Sequence, residues 1–167
     1  MALNSRLVRC VLGGLLGTAL CAVVAVPSAV ASRGQSFASA TGDVFLAHPN
    51  QELVFNAFAG KTAGSLGSVT YANFDAGLSY SASVTSAVVD PIEHLACFTY
   101  VIPPGNFVSG IEVTWKVVDG GTPGTNGDTA GYVFGTPGSY GVPSSSRACA
   151  DLGVTNYAIT GGNLVVH

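Results

Sequence analysis

Oxygen ligands are densest between Asp119 and Asp128, a glycine-rich stretch with the sequence DGGTPGTNGD. Asp119, Asn126 and Asp128 offer the hard carboxylate and amide oxygens that Ca²⁺ prefers. The spacing differs from that of an EF-hand loop, because Gly121 and Pro123 fall where ligands are expected and no glutamate closes the site. Asx-turns, in which the side chain bonds its own backbone, explain the same three residues without a metal. The sequence therefore predicts a demanding turn and leaves calcium as an alternative.

Other residues capable of acid–base chemistry are scattered along the chain. Three histidines fall in a turn, at a strand edge and at the C-terminus: His48, His94 and His167. Neither an H-E-x-x-H metal motif nor a G-x-S-x-G nucleophile elbow is present. Three glutamates are candidates for a glycosidase pair, namely Glu52, Glu93 and Glu112, but such a pair must lie about 5 to 9 Å apart, which sequence spacing does not set. The prediction is a protein without catalytic residues, with a secreted hydrolase as the weaker alternative.

The elements that position these residues have the two-residue period of β-strands. Ile111, Val113, Trp115 and Val117 alternate with polar residues, which predicts a strand with one apolar and one solvated face carrying the only tryptophan. Further short runs are separated by turn clusters, and no helical periodicity follows the leader. This pattern predicts an all-β fold, an antiparallel β-sandwich or barrel-like sandwich of about seven to nine strands.

The same patterns predict where individual strands, loops and turns lie. The run from Glu52 to Ala59 is apolar enough for burial on both faces, and the alternation from Leu78 to Val89 predicts one long strand. The chain from Gly135 to Ser146 is a proline-rich loop, followed by at most one helical turn from Ser146 to Leu152. Residues 157–159 and 164–166 flank Gly-Gly-Asn, which indicates a terminal hairpin.

Four aromatic residues occupy apolar positions of the predicted strands: Tyr71, Tyr80, Tyr100 and Trp115. At a period of two, such residues predict core positions. The alternative is a platform on which sugar rings stack.

The N-terminus predicts export. Arg6 and Arg9 precede an apolar run and the small-residue pattern Ala29-Val30-Ala31, which is typical of a signal peptide cleaved after Ala31. Two of the six basic residues lie in this leader, so the remaining four face nine acidic residues, a net charge of −5. Without a basic patch, nucleic acid is not an expected partner, and no membrane association is expected after cleavage. The neutral polar surface suits contact with cell-wall or extracellular polysaccharide.

Cys97 and Cys149 are the only cysteines outside the leader. In an oxidising compartment an even pair predicts a disulfide, because the spacing suits neither a redox motif nor a thiolate metal site.

Three stretches together carry a family resemblance: residues 67–89, GSVTYANFDAGLSYSASVTSAVV, residues 113–129, VTWKVVDGGTPGTNGDT, and the terminal GGNLVVH. They resemble the post-COAP-type β domains of secreted bacterial proteins. The resemblance spans Glu52 to His167 and implies a β-rich exported module, found alone or attached to larger extracellular proteins. It implies no known activity and no catalytic residues.

The predicted organisation has three parts. Residues 1–31 form the signal peptide, 32–42 a flexible N-terminus and 43–167 a single β domain. The predicted function is a secreted, non-catalytic module with a structural or binding role at the cell surface or in the medium, with carbohydrate or cell-wall binding as the main alternative. No cofactor is expected, apart from the calcium alternative.

Overall fold

Alternating apolar residues form strands over most of the chain that the computed structural model describes, which comprises residues 38–47, 50–60, 66–106, 108–121, 127–140 and 142–167. All described residues belong to one compact unit. Within them, ten strands and one short helix follow in the order β1 (Ser39–Leu46), β2 (Gln51–Phe58), β3 (Gly67–Asn73), β4 (Leu78–Ser83), β5 (Ser86–Asp90), β6 (Leu95–Val101), β7 (Glu112–Val118), β8 (Thr129–Gly135), α1 (Ser146–Ala150), β9 (Tyr157–Ala158) and β10 (Gly161–Val166).

The strands form two antiparallel sheets. The first has the order β10-β1-β2-β3-β4 and the second the order β5-β6-β7-β8-β9. Their facing side chains make one core, in which the rings of Phe55 on β2 and Phe98 on β6 stack with centroids 4.5 Å apart. The predicted all-β antiparallel sandwich is therefore confirmed. The ten strands exceed the predicted seven to nine.

Strand β2 is buried on one face only. Leu53 and Phe55 point into the core, whereas Val54 between them is 41% exposed. The prediction of burial on both faces was wrong, because apolar composition alone does not distinguish a strand covered on two sides from one with an apolar residue in solvent.

The long strand predicted from Leu78 to Val89 is divided between the two sheets. The backbone N–H of Val84 donates to Gly67 on β3, in the first sheet, at 3.0 Å. The next residue, Thr85, donates its N–H to Thr99 on β6, in the second sheet, at 2.8 Å. The chain therefore crosses from sheet to sheet within two residues, directly before Ser86 interrupts the apolar alternation.

The predicted terminal hairpin is also wrong, because the chain again crosses from one sheet to the other. Ile159 donates its backbone N–H to Asp128 beside β8, at 3.1 Å, and Thr160 donates to Phe45 on β1, at 2.8 Å. Strand β9 therefore pairs with β8, whereas β10 pairs with β1. Gly162 has a φ of +90° within β10, where a Cβ atom would overlap the carbonyl of Asp43. The glycine that suggested a hairpin turn instead permits close strand pairing.

The outer face of the second sheet is covered by the segment after β8. Cys97 on β6 and Cys149 on α1 form the predicted disulfide, with Cα atoms 5.7 Å apart. Both cysteines are buried in a small apolar cluster with Leu95. The predicted helical turn is confirmed, since α1 lies in residues 146–152, and the disulfide attaches it to β6.

Strand β7 shows that this covered face is not fully solvated. Thr114, predicted to lie on the solvated face, is only 2% exposed and shares a 2.9 Å hydrogen bond with the hydroxyl of Thr99. Lys116 donates from Nζ to the carbonyl of Ala150 at 2.6 Å. The single apolar face that the alternation predicted is present, but its opposite face is partly buried.

The β domain begins before the predicted boundary. Strand β1 starts at Ser39, whose backbone exchanges hydrogen bonds with His167, at 2.9 and 2.7 Å. Part of the predicted flexible segment 32–42 is therefore a strand. Residues 1–31 and 32–37 lie outside the described residues, so the leader remains a prediction. Among the described residues, no helix has the length and apolar character to cross a membrane.

Candidate functional site: an aromatic cleft between the sheets

A cavity of about 140 Å³, here called the inter-sheet cleft, lies between the sheets at one end of the sandwich. It is located where β3, β6 and β8 end and where β4 and β7 begin, since antiparallel strands bring these termini together. Its deep wall consists of residues at most 8% exposed: Tyr71, Tyr80, Tyr100, Ile102, Val113 and Trp115. The cleft is therefore a recess in the aromatic part of the core.

The outer wall of the cleft is formed by partly or largely exposed residues: Leu78, Val108, Ile111, Tyr132 and Phe134. Phe134 is 56% exposed. The ring of Tyr132 lies between those of Trp115 and Phe134, with centroid distances of 4.7 and 6.0 Å. A continuous row of aromatic rings therefore leads from the buried tryptophan to the protein surface.

Hydroxyl groups in the deep wall bond mainly to each other. The indole Nε1 of Trp115 donates to the hydroxyl of Tyr100 at 3.1 Å, and the hydroxyls of Tyr80 and Tyr100 are also 3.1 Å apart. Burial raises the pKa of Tyr71, Tyr80 and Tyr100 above the usual value for a phenol. The phenols therefore remain neutral at physiological pH, and the deep wall carries no charge.

The four aromatic residues assigned to the core from the sequence do occupy it, because Tyr71, Tyr80, Tyr100 and Trp115 are all buried. The same four residues also line the inter-sheet cleft, which the sequence did not indicate. They therefore do not form the exposed sugar-stacking platform that was the alternative.

Buried Gln51 is a polar residue of this region that the sequence analysis missed. It is 1% exposed, and its Nε2 donates to the hydroxyl of Tyr132 at 3.3 Å. Its Oε1 has no hydrogen-bond partner among the described residues. The only available signal was its spacing of two and four residues from Leu53 and Phe55, which places Gln51 on the face of β2 that is buried, where a polar residue requires a partner.

The predicted oxygen cluster is held by backbone hydrogen bonds. Asp119 accepts from Gly121 at 2.7 Å, which is the expected Asx-turn, and its second oxygen accepts from Val166 at 3.1 Å. Asp128 accepts from Gly120 across the turn at 2.7 Å, a bond that the sequence did not predict. Three of the four carboxylate oxygens therefore already have N–H donors.

The fourth oxygen, Oδ2 of Asp128, is buried and has no partner among the described residues. Burial raises the pKa of Asp128, and the nearby Asp119 carboxylate adds to this effect. Asn126 lies outside the described residues. Within the described ranges, no group of three or more histidine, cysteine, aspartate or glutamate residues is arranged to hold a metal ion. The calcium site at Asp119, Asn126 and Asp128 stays a prediction.

None of the candidate acid–base residues within the described ranges lines the cleft. His94 lies in the turn before β6, with a φ of +52°, and His167 is the last residue of the chain, whereas His48 is outside the described residues. Glu52 lies on β2, and Glu112 on β7 accepts from the backbone of Gly138 at 3.3 Å. Glu93 is in the exposed turn with His94. Among the described residues that line the cleft, none is a histidine or a carboxylate.

Comparisons with protein-family models, with curated proteins and with solved structures found no match for this chain. The resemblance to post-COAP-type domains therefore stays a prediction from residues 67–89, 113–129 and 161–167.

Proposed function

We propose that this chain is an exported, non-catalytic β-sandwich module that binds a ligand at the end of the sandwich where the inter-sheet cleft opens. The observation that carries the proposal is the cleft itself, a recess lined by buried aromatic residues with an exposed ring, Phe134, at its mouth. Concave, mostly apolar recesses with a few polar groups are the usual form of ligand sites. The buried Cys97–Cys149 disulfide is compatible with an oxidising compartment outside the cytoplasm.

A non-catalytic role is supported by the chemistry of the cleft wall. The groups with polar atoms in the deep wall are neutral phenols and an indole, which suit recognition better than proton transfer near neutral pH. The secreted hydrolase is the weaker alternative, because it would need a carboxylate pair or a histidine brought to the substrate from elsewhere on the molecule.

A second candidate function is recognition of carbohydrate or cell wall at the rim of the cleft. Tyr140, which is 46% exposed, lies against Gly135, the residue that follows Phe134. Two exposed aromatic rings so close in the chain offer faces on which a sugar ring can stack. This candidate places the sugar on the surface and leaves the deep wall free.

The proposed function is tested by the melting temperature of the purified protein. A panel of soluble peptidoglycan fragments, oligosaccharides and small aromatic and aliphatic compounds is screened for ligands, which raise the melting temperature when they bind the folded state. The expected result is a rise with at least one class, reduced in Ile111→Phe, which fills the cleft, or in Phe134→Ala, which removes the rim. The absence of any rise, together with no retention on insoluble cell wall, would contradict a binding role.

A further inference from the structure

On the basis of this proposed function, we infer that the inter-sheet cleft takes a ring-sized, uncharged apolar group that carries a hydrogen-bond acceptor oxygen. An aryl ketone or an aryl ether belongs to this chemical class. The inference follows from the size of the cleft, the absence of charge in its wall and the number of hydrogen-bond donors in that wall.

The size of the cleft limits the buried group to about one ring. Sites for drug-sized ligands have volumes of about 300 to 1,000 Å³, whereas the inter-sheet cleft has about 140 Å³. An apolar cavity of about 150 Å³ holds a single benzene molecule. A larger ligand would therefore place one ring in the cleft, with the remainder extending past Phe134 into solvent.

The wall of the cleft excludes a charged group. None of the described residues that line it is ionised, since they are aliphatic residues, neutral phenols, a phenylalanine and an indole. Burial of a carboxylate or an ammonium without a counter-charge is strongly unfavourable. A sugar ring is also disfavoured in the deep wall, because its many hydroxyls would each need a partner there.

The deep wall nevertheless has a hydrogen-bond donor to spare. Three protons, those of the Trp115 indole and of the Tyr80 and Tyr100 hydroxyls, share only two hydrogen bonds, while the fourth polar group of the deep wall, the Tyr71 hydroxyl, accepts from Asn73 at 3.4 Å. Whichever hydroxyl donates within the tyrosine pair, the proton of the other has no acceptor among the described residues. A buried donor without a partner is costly, so an acceptor oxygen on the ligand recovers that interaction. The preferred ligand therefore carries an acceptor oxygen next to its ring.

The test uses three probes of nearly equal size and shape that differ in one property. Acetophenone has a ring and an acceptor oxygen, cumene has the ring without the oxygen, and benzoate has the ring with a charge. Trp115 is the only tryptophan, so its indole N–H gives one identifiable NMR signal in the wall of the cleft. Titration of this signal gives a dissociation constant for each probe.

We expect acetophenone to shift the signal saturably and to bind about two- to tenfold more tightly than cumene, the range expected for one hydrogen bond. Benzoate should produce no saturable shift. Ile111→Phe and Leu78→Phe, two substitutions at the outer wall, should each weaken acetophenone binding. Val54→Phe is the matched control, because it adds the same ring at an exposed position on the outer face of β2, and it should bind acetophenone like the wild type.

Equal binding of acetophenone and benzoate would overturn the inference, and so would equal binding of acetophenone and cumene. Unchanged acetophenone affinity in both outer-wall variants would place the binding site elsewhere and also overturn it. If saccharides raise the melting temperature while none of the three probes shifts the indole signal, the ligand class is wrong and the binding function stands. If neither experiment detects a ligand, both proposals fail.

Discussion

The indole Nε1 of Trp115 on β7 donates a 3.1 Å hydrogen bond to the hydroxyl of Tyr100 on the neighbouring strand β6, in the deep wall of the inter-sheet cleft. Trp115 is 1% exposed and Tyr100 is fully buried. The bond satisfies the only polar atom of the tryptophan side chain, and the same hydroxyl contacts Tyr80 on the opposite sheet. Tyr100 therefore joins the two sheets at the base of the inter-sheet cleft.

Replacement of Tyr100 by phenylalanine should lower the free energy of unfolding by about 1 to 3 kcal/mol, because it leaves the buried indole N–H without an acceptor. Tyr80→Phe should cost less, since the Tyr100 hydroxyl remains available to Trp115. Urea unfolding of both variants, followed by circular dichroism, measures the difference. A larger loss in Tyr80→Phe than in Tyr100→Phe would contradict the assigned role of Tyr100.

How far the sequence predicts this structure depends on the interaction concerned. The alternation of Leu78, Tyr80 and Ala82 identifies the buried face of β4, because side-chain direction is a local property of an extended chain. Hydrogen-bond partners are not local. Val84 and Thr85 are bonded to different sheets, and the only trace of this change in the pattern is Ser86, which interrupts the two-residue period directly afterwards.

The candidate site was less predictable than the fold. Trp115 and the buried tyrosines were identified as apolar positions, but a cavity depends on how completely side chains from two sheets fill the space between them. Ile102 and Ile111, on either side of the Pro103–Gly110 connection, gave the one local signal, since apolar residues that flank a turn tend to pack under it. The neutrality of the wall was not predictable either, because the burial that raises the pKa of Tyr80 and Tyr100 depends on side chains from both sheets.

The disulfide should contribute substantially to stability. Cys97 and Cys149 are 52 residues apart in the sequence, and closure of a loop of this length is worth about 4 kcal/mol in the chain-entropy description. A Cys97→Ala/Cys149→Ala variant should therefore unfold at a much lower urea concentration, whereas Val142→Ala, at an exposed site in the segment between β8 and α1, should not.

The intact mass of the exported protein checks two predictions, the cleavage of the leader and the formation of the disulfide. It should correspond to a chain that starts at Ser32 and lacks two thiol hydrogens.

The same mass measurement can contradict either prediction separately. A chain that retains residues 1–31 would overturn the predicted leader cleavage, whereas a fully reduced chain would overturn the disulfide in the exported protein.

Asp128 should make folding stability decrease as the pH rises. Its pKa in the folded protein is raised above the usual 3.8, mainly by burial, so the fold favours the protonated form. This contribution is fully present below the pKa of the unfolded state and is lost as the pH rises through the folded pKa. Asp128→Asn keeps the acceptor for Gly120 but cannot ionise. The stability of the Asp128→Asn variant relative to the wild type should therefore increase as the pH rises past the pKa of the unfolded state, and it should reach a plateau above the folded pKa.

A matched control of opposite sign is Asp90, whose pKa is lowered, mainly by the Ser146 hydroxyl and also by backbone donors such as Glu93. Its contribution is present above the unfolded pKa and is lost as the pH falls, so Asp90→Asn should lose stability relative to the wild type as the pH rises. Urea unfolding across the pH range measures both differences. A constant difference between Asp128→Asn and the wild type would show that the Asp128 carboxyl titrates normally.

Calcium should have little effect on the folded protein. Three of the four oxygens of Asp119 and Asp128 accept backbone hydrogen bonds, and a hard cation would compete with these donors for the same oxygens. We expect the same melting temperature in millimolar calcium and in a chelator. A calcium-dependent rise that disappears in both Asp119→Asn and Asp128→Asn would instead establish the calcium site.

The central claim, that the inter-sheet cleft is a ligand site, is tested most directly by a crystal structure of the protein grown with acetophenone. The predicted result is electron density for one ring in the cleft beside Trp115, with the ketone oxygen within hydrogen-bond distance of the Tyr80 or Tyr100 hydroxyl. A cleft without ligand density at a saturating concentration, or acetophenone bound only at other surfaces, would contradict the claim.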